Sequence, residues 1–259
     1  MTWIVGKSMP FGYAAGISDV RVTLGDGSEL DCLQKIYQVG RFMAMGFAGS
    51  VLIGFEMVDR LKQLLQNDDP ELAWDPIEVA EWWPQDAREV FQGFDEDDTK
   101  HGSELILLSA HPTDHNGIPH FARCFVHRFR DPDFTPDLAG AWDVVSIGYG
   151  AGVAPYIEEL EYAAANYTDL QMEVGNPGGS GYMLMWRTRA AIEANPTPGI
   201  SSLVQFCTVR RGGISISDVN RRAYGDSAGD LVMPRLARSL DELAEILDGD
   251  GLSAAGACC

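Results

Sequence analysis

Four residues near the start of the chain, Thr2, Asp19, Lys35 and Gly49, are of types that could do chemistry together. Methionine aminopeptidase accepts a small second residue, so loss of Met1 would leave Thr2 at the amino terminus. A terminal threonine carries its own base, because an unperturbed α-amine has a pKa of about 7.7–8.0 and is partly neutral near pH 7. That amine can take the hydroxyl proton directly or through a water, and no histidine is required. A neighbouring ammonium would push it further toward the neutral form and favour the developing alkoxide. Lys35 suits that role. It stands in Cys32-Leu-Gln-Lys-Ile-Tyr37, a strand-like segment with no other charge, in a chain with only four lysines. A lysine in such a place needs a partner, and Asp19, in Gly16-Ile-Ser-Asp-Val-Arg21, can supply it. The same residues have a plainer reading, with Thr2 an ordinary second residue and Lys35–Asp19 a structural ion pair.

Other motifs compete. Gly148-Tyr-Gly-Ala-Gly152 lies between a strand and a helix and is similar to a dinucleotide fingerprint. The second strand ending in an acidic residue about 20 positions on is missing, so the segment reads as a tight strand-to-helix turn. All five histidines lie between 101 and 127, and His111, Asp114 and His115 could be imagined as metal ligands. Yet Asp114-His-Asn-Gly117 is hairpin-turn sequence, and no HExxH or matching Cys/His spacing accompanies it. No metal or other cofactor is expected. The acidic run Asp95–Asp98 lacks the EF-hand ligand pattern and reads as a solvated loop.

The elements that must position these residues follow from periodicity and turn chemistry. Residues 2–6 and 13–23 read as strands of a hairpin turned by Met9-Pro-Phe-Gly12, and two more strands are expected at 33–37 and 41–47. Residues 49–66 carry apolar side chains at three- and four-residue spacing, which predicts an amphipathic helix. Asp75 and Pro76 open a second helix running to Phe91. Strands at 104–111 and 120–129 form a hairpin around Asn116-Gly117. A strand at 143–147, helices at 154–166 and 182–194, and strands at 202–209 and 213–217 follow. Ser239-Leu-Asp-Glu242 has capping-box spacing and starts a short acidic helix. Strands and helices come in blocks instead of alternating singly, which argues for α+β packing and against a doubly wound sheet. A single domain over 1–248 is expected, with 249–259 a small, polar, disordered tail.

Composition excludes several functions. A net charge of −19 would repel nucleic acid and anionic membrane surfaces. No stretch reaches the roughly 18 apolar residues of a membrane span, and the first residues lack the pattern of a signal peptide. Five cysteines, widely spaced apart from the final pair and without CxxC, are expected to be reduced thiols in the cytoplasm.

Taken together, Thr2-Trp-Ile-Val-Gly6, Gly16-Ile-Ser-Asp-Val-Arg-Val-Thr23, Gln34-Lys-Ile-Tyr37 and Gly46-Phe-Ala-Gly-Ser50 resemble the opening of proteasome β subunits and their HslV-type bacterial relatives. In that family a mature N-terminal threonine is followed by an aspartate, a lysine and an oxyanion-hole glycine. Asp19, Lys35 and Gly49 keep the family's mutual spacing, with the first hairpin one residue longer. The likeness covers about the first quarter of the chain. Val145-Ser-Ile-Gly-Tyr-Gly150 is similar to the family's strand–Gly-Ser-Gly–helix element, although Tyr149 stands where a serine usually supports the terminal amine. Asn195 or Thr197 falls near the aspartate of a late Asp-x-x-Ser-Gly motif and Pro198 near its serine, so neither role is carried over.

The resemblance implies the four-layer αββα sandwich of N-terminal nucleophile hydrolases and a threonine-type peptidase acting on peptides or unfolded protein. Thr2 would be the nucleophile, Lys35 would tune its amine, Asp19 would hold Lys35, and the Gly49 N–H would stabilise the oxyanion. Val22, Leu33, Tyr37, Phe47 and Val51 would line the pocket for the residue before the cut, implying a preference for hydrophobic or aromatic side chains. A homo-oligomeric ring is implied as well. An ATP-dependent unfoldase partner is not readable from these residues. A small-amide hydrolase on the same fold, and a non-catalytic ring protein, are the alternatives.

Overall fold

A computed structural model describes residues 2–9, 12–66, 74–114, 122–140, 143–165, 179–217, 234–252 and 257–259. It is a mixed α+β structure with three antiparallel sheets. β1 (Ile4–Met9) and β2 (Tyr13–Asp19) form the expected hairpin, with Ile4 opposite Ser18 and Met9 opposite Tyr13. β10 (Val144–Ile147) adds to the free side of β1, and β11 (Val204–Arg210) and β12 (Gly213–Ile216) add to β2. The second five-stranded sheet runs β5 (Ile36–Gly40), β6 (Met43–Gly49), β7 (Ser103–Asp114), β8 (Ala122–Arg130) and β9 (Asp137–Leu138). The hairpin tip expected at Asn116-Gly117 lies outside the described residues, but β7 and β8 pair from Glu104–Arg130 to Asp114–Ala122.

The single strand expected over 13–23 is divided. β2 stops at Asp19, and β3 (Arg21–Thr23) leaves the sheet to pair with β4 (Glu29–Asp31). The local cause is polar: the Asp19 carboxylate accepts the Arg21 N–H, and the Val20 carbonyl accepts from Cys32 and Leu33. β branching predicts extended backbone through 23, but it says nothing of which neighbour the backbone will pair with.

Alternation along the strands divides the core into three. On β6, Met43, Met45 and Phe47 face one way, while Ala44 and Ala48 face the other with Ile4, Ile106, Leu108 and Val126. This second group fills the space between the two large sheets. Gly6, Gly16 and Gly46 belong there by position, since an added Cβ on each would fall within about 3 Å of an Ile106 or Leu108 side chain. On the outer face of one sheet lie α1 (Val51–Leu65), α2 (Pro76–Gln92) and α6 (Leu240–Gly249), packed over Tyr37, Met45, Phe47, Leu105 and Leu107. On the outer face of the other lie α4 (Ala154–Ala165) and α5 (Gly179–Ala194), over Val5, Ile17 and Phe206.

Helix starts follow local chemistry. Ser50 caps α1 through Ile53 N–H, Asp75 caps α2 through Ile77 N–H with Pro76 at the first position, and Ser239 caps α6 through Glu242 N–H. Two segments differ from expectation. Asp95–Asp98 is a short helix, α3 (Glu96–Thr99), because Asp95 caps it and places three acidic residues in its first turn. The expected disordered tail is also placed in part. Leu252 N–H bonds to Leu247 O, and Ala257–Cys259 make backbone hydrogen bonds to Thr23, Gly49 and Val51. Small polar composition hides such pairing, because it uses only main-chain groups. Among the described residues no helix is long and apolar enough to cross a membrane.

Lys7 is the second fully buried lysine, on the helix-facing side of β1 with Val5. Burial lowers its pKa from 10.5 to about 8, opposed by the charge of Asp143. The unfolded chain therefore binds more protons between those values, and stability gains as pH rises through them. Relative to Lys7→Met, the wild type should become more stable in urea titrations from pH 8 to pH 10.5; parallel curves would refute this.

Candidate active site

Thr2 lies two residues before β1 and is fully buried, as are Asp19 at the end of β2 and Lys35 just before β5. The Thr2 hydroxyl donates to Asp19 Oδ1 at 2.5 Å and accepts from Lys35 Nζ. Lys35 Nζ also donates to both Asp19 oxygens, at 2.9 and 3.0 Å. Asp19 is held further by the amides of Trp3 at 2.9 Å, Arg21 at 3.0 Å and Ser201 at 3.4 Å. Sequence reasoning named Thr2, Asp19 and Lys35, and the fold brings all three into direct contact from two different sheets.

Gly49 ends β6 with φ +106, a conformation only glycine adopts readily, and a Cβ there would sit 2.2 Å from Gly102 O. This turn aims its N–H out of the ladder at the carbonyl of Cys259, 2.6 Å away. Gly49 and Cys259 line one cavity together with Gly148, the glycine that packs on Thr2. Burial pushes the Cys259 thiol's pKa up to about 11, with Lys35 opposing.

The five expected pocket residues, Val22, Leu33, Tyr37, Phe47 and Val51, are all buried in one cluster, which also contains Ala257 and Cys259. Tyr37 and Phe47 stack with centroids 5.9 Å apart, and the Tyr37 hydroxyl donates to Gln34 O. Burial raises the Tyr37 pKa well above 10, which keeps the phenol neutral in this wall. Cys259 Sγ approaches Phe47 O at 3.7 Å.

Several contributors were not named from sequence. Gly148 (φ +81) packs on Thr2 so closely that a Cβ would lie 2.6 Å from Thr2 Cγ2, and Gly150 N–H donates to Thr2 O at 3.0 Å. The resemblance set residues 145–150 beside the terminal amine, but the close approach of Gly148 and the Gly150 bond to the Thr2 carbonyl were not named. Ser201 gives no signal, because its backbone amide reaches Asp19 from 182 positions away. Tyr149 is 55% exposed and lines an open cavity of about 540 Å3 with Gly49, Glu104, Arg130 and Cys259. Asn195 O and Thr197 Oγ1 are taken up by the Tyr156 hydroxyl. His111 sits 3.4 Å from Asp75 and beside Thr113, while His115 and His120 lie outside the described residues.

No protein-family model matches the chain, and no curated protein matches it either.

The buried pair makes an asymmetric prediction. Asp19→Ala would strand a buried ammonium and should cost about 3–5 kcal/mol in urea unfolding. Lys35→Met leaves Asp19 with three backbone donors and should cost clearly less. Equal losses would show that the ion pair itself, and not the stranded charge, sets the penalty.

Proposed function

We propose that the chain is a threonine-type peptidase whose nucleophile is Thr2 once Met1 is removed. The reading extends to the N-terminal nucleophile hydrolase sandwich, the cytoplasm and a homo-oligomeric ring, as the resemblance to proteasome β subunits implies. The observation that carries it is the contact of one buried threonine hydroxyl with both Asp19 and Lys35. A buried hydroxyl needs only one partner, and two opposite charges converging on that of Thr2 are more than packing requires. Helices outside both large sheets, with a separate apolar layer between the sheets, support the sandwich reading.

In this mechanism the Thr2 amine accepts the hydroxyl proton as Oγ attacks an amide carbonyl. Lys35, already donating to Oγ, stabilises the alkoxide, and its charge favours the neutral amine. Asp19 is a positioning residue: its carboxylate holds Lys35 through both oxygens. The Gly49 N–H would meet the oxyanion, an interaction of about 3–4 kcal/mol for one donor. The tetrahedral intermediate then expels the amine, which leaves with the proton, and water releases the acyl group from Thr2 Oγ. A cleft already lined by main-chain donors favours a peptide over a small amide as substrate.

Protein expressed without an N-terminal tag should lose Met1 and gain one adduct with a peptide epoxyketone, by intact mass. The reagent needs a free amine beside its hydroxyl, so Thr2→Ala should abolish the adduct. Retained Met1, or a free Thr2 that never reacts, would overturn the reading. Multi-angle light scattering should give a multimer mass, and a single monomeric peak would remove the ring.

A further inference from the structure

Ala257–Cys259 is held as a peptide would be held. Cys258 exchanges two hydrogen bonds with Thr23, its N–H to Thr23 O at 2.9 Å and Thr23 N–H to its own carbonyl at 2.9 Å. Cys259 does the same with Gly49, at 2.8 and 2.6 Å, and Val51 N–H reaches Ala257 O at 3.3 Å. The segment is thus clamped between β3 on one side and the end of β6 on the other, antiparallel to both. All five bonds are main chain to main chain, so they are indifferent to the sequence of whatever lies there. Specificity would come from side chains at alternate positions, as in strand addition generally. Ala257 and Cys259, the alternate pair, are buried in the Val22–Leu33–Tyr37–Phe47–Val51 cluster, while Cys258 between them is only partly covered. Beyond Cys259 the groove opens into the cavity bounded by Tyr149, Glu104 and Arg130.

We propose that Ala257–Cys259 is an intramolecular peptide ligand of the Thr2 cleft, with Cys259 in the pocket for the residue before the cut and its carbonyl on the Gly49 N–H. The proposal rests on the peptidase reading only for the naming of that pocket; the occupancy of the groove does not depend on it. Two consequences follow. External peptides must displace the segment, and because it is tethered its effective concentration is on the order of millimolar. Its removal should therefore lower KM for peptides roughly tenfold or more and leave kcat unchanged. The side chain at this position is also chosen by its surroundings, since Cys259 is buried among Val22, Leu33, Tyr37, Phe47 and Val51.

The test uses the chain lacking 257–259 and the full chain carrying Cys258→Pro, which removes the donor to Thr23 without shortening the protein. Each is also made with Thr2→Ala. The probe is an Ala-Cys-Cys peptide with a fluorophore at its amino end, followed by anisotropy under reducing conditions, with thermal melting as the check on folding. Both variants should bind the probe at least tenfold more tightly than the intact chain, with or without Thr2→Ala. No gain in either folded variant overturns the proposal. So does unfolding of both, because a segment whose loss unfolds the domain is a structural strand and not a displaceable ligand. Turnover without a gain in probe binding would sink this inference and keep the peptidase; a gain without turnover or epoxyketone labelling would do the reverse.

Discussion

Lys35 and Asp19 come from different sheets, and the fully buried ion pair they form is the interaction on which the rest of the site depends. Desolvating two charges is expensive, and the attraction between them offsets it only if the remaining valences are filled. The chain fills them with four donors from three segments. Trp3 and Arg21 give amides flanking the first hairpin, Ser201 gives one from the approach to β11, and Thr2 gives a hydroxyl. Each donor requires its own stretch of backbone to be in register, so the pair acts as a pin through both sheets. The division of β2 from β3 is part of the same constraint, because the Arg21 amide can reach Asp19 only where the strand has turned.

The second constraint is close approach. Gly148 must be glycine both for its φ and because Thr2 occupies the space of a Cβ, and Gly49 must be glycine because Gly102 does. The Gly148 turn presses the threonine into place, and the Gly49 turn aims a main-chain donor at the Cys259 carbonyl. The Gly148 amide is itself tied to Glu104, which pairs with Arg130 at the mouth of the cavity. Position around Thr2 is thereby set by backbone and by buried charge, with little left to flexible side chains.

What makes the groove a groove is unpaired main chain. β3 and the end of β6 each leave an edge facing the other, and unpaired edges invite a third strand. Ala257–Cys259 meets that need from within the chain, and two of its side chains complete a core that would otherwise be open to water. Edge protection and ligand binding use the same hydrogen bonds here, so one segment serves both.

Much of the local structure was legible in the residues. Hairpin turns, helix periodicity and the caps at Asp75 and Ser239 depend on interactions within a few positions, and the elements begin and end near where these place them. The candidates Thr2, Asp19 and Lys35 were legible too, because a lysine in a segment with no other charge needs a carboxylate and because the opening motifs resemble those of a known family. The sequence by itself determined which side chains needed one another. It could not determine what the backbone would do at long range: that Ser201 would turn its amide to Asp19, that Gly148 would lie on Thr2, or that the segment read as a disordered tail would pair beside Gly49. Those are main-chain contacts between residues more than 140 positions apart, and a peptide N–H carries no residue-type signature, so only the tertiary structure decided them.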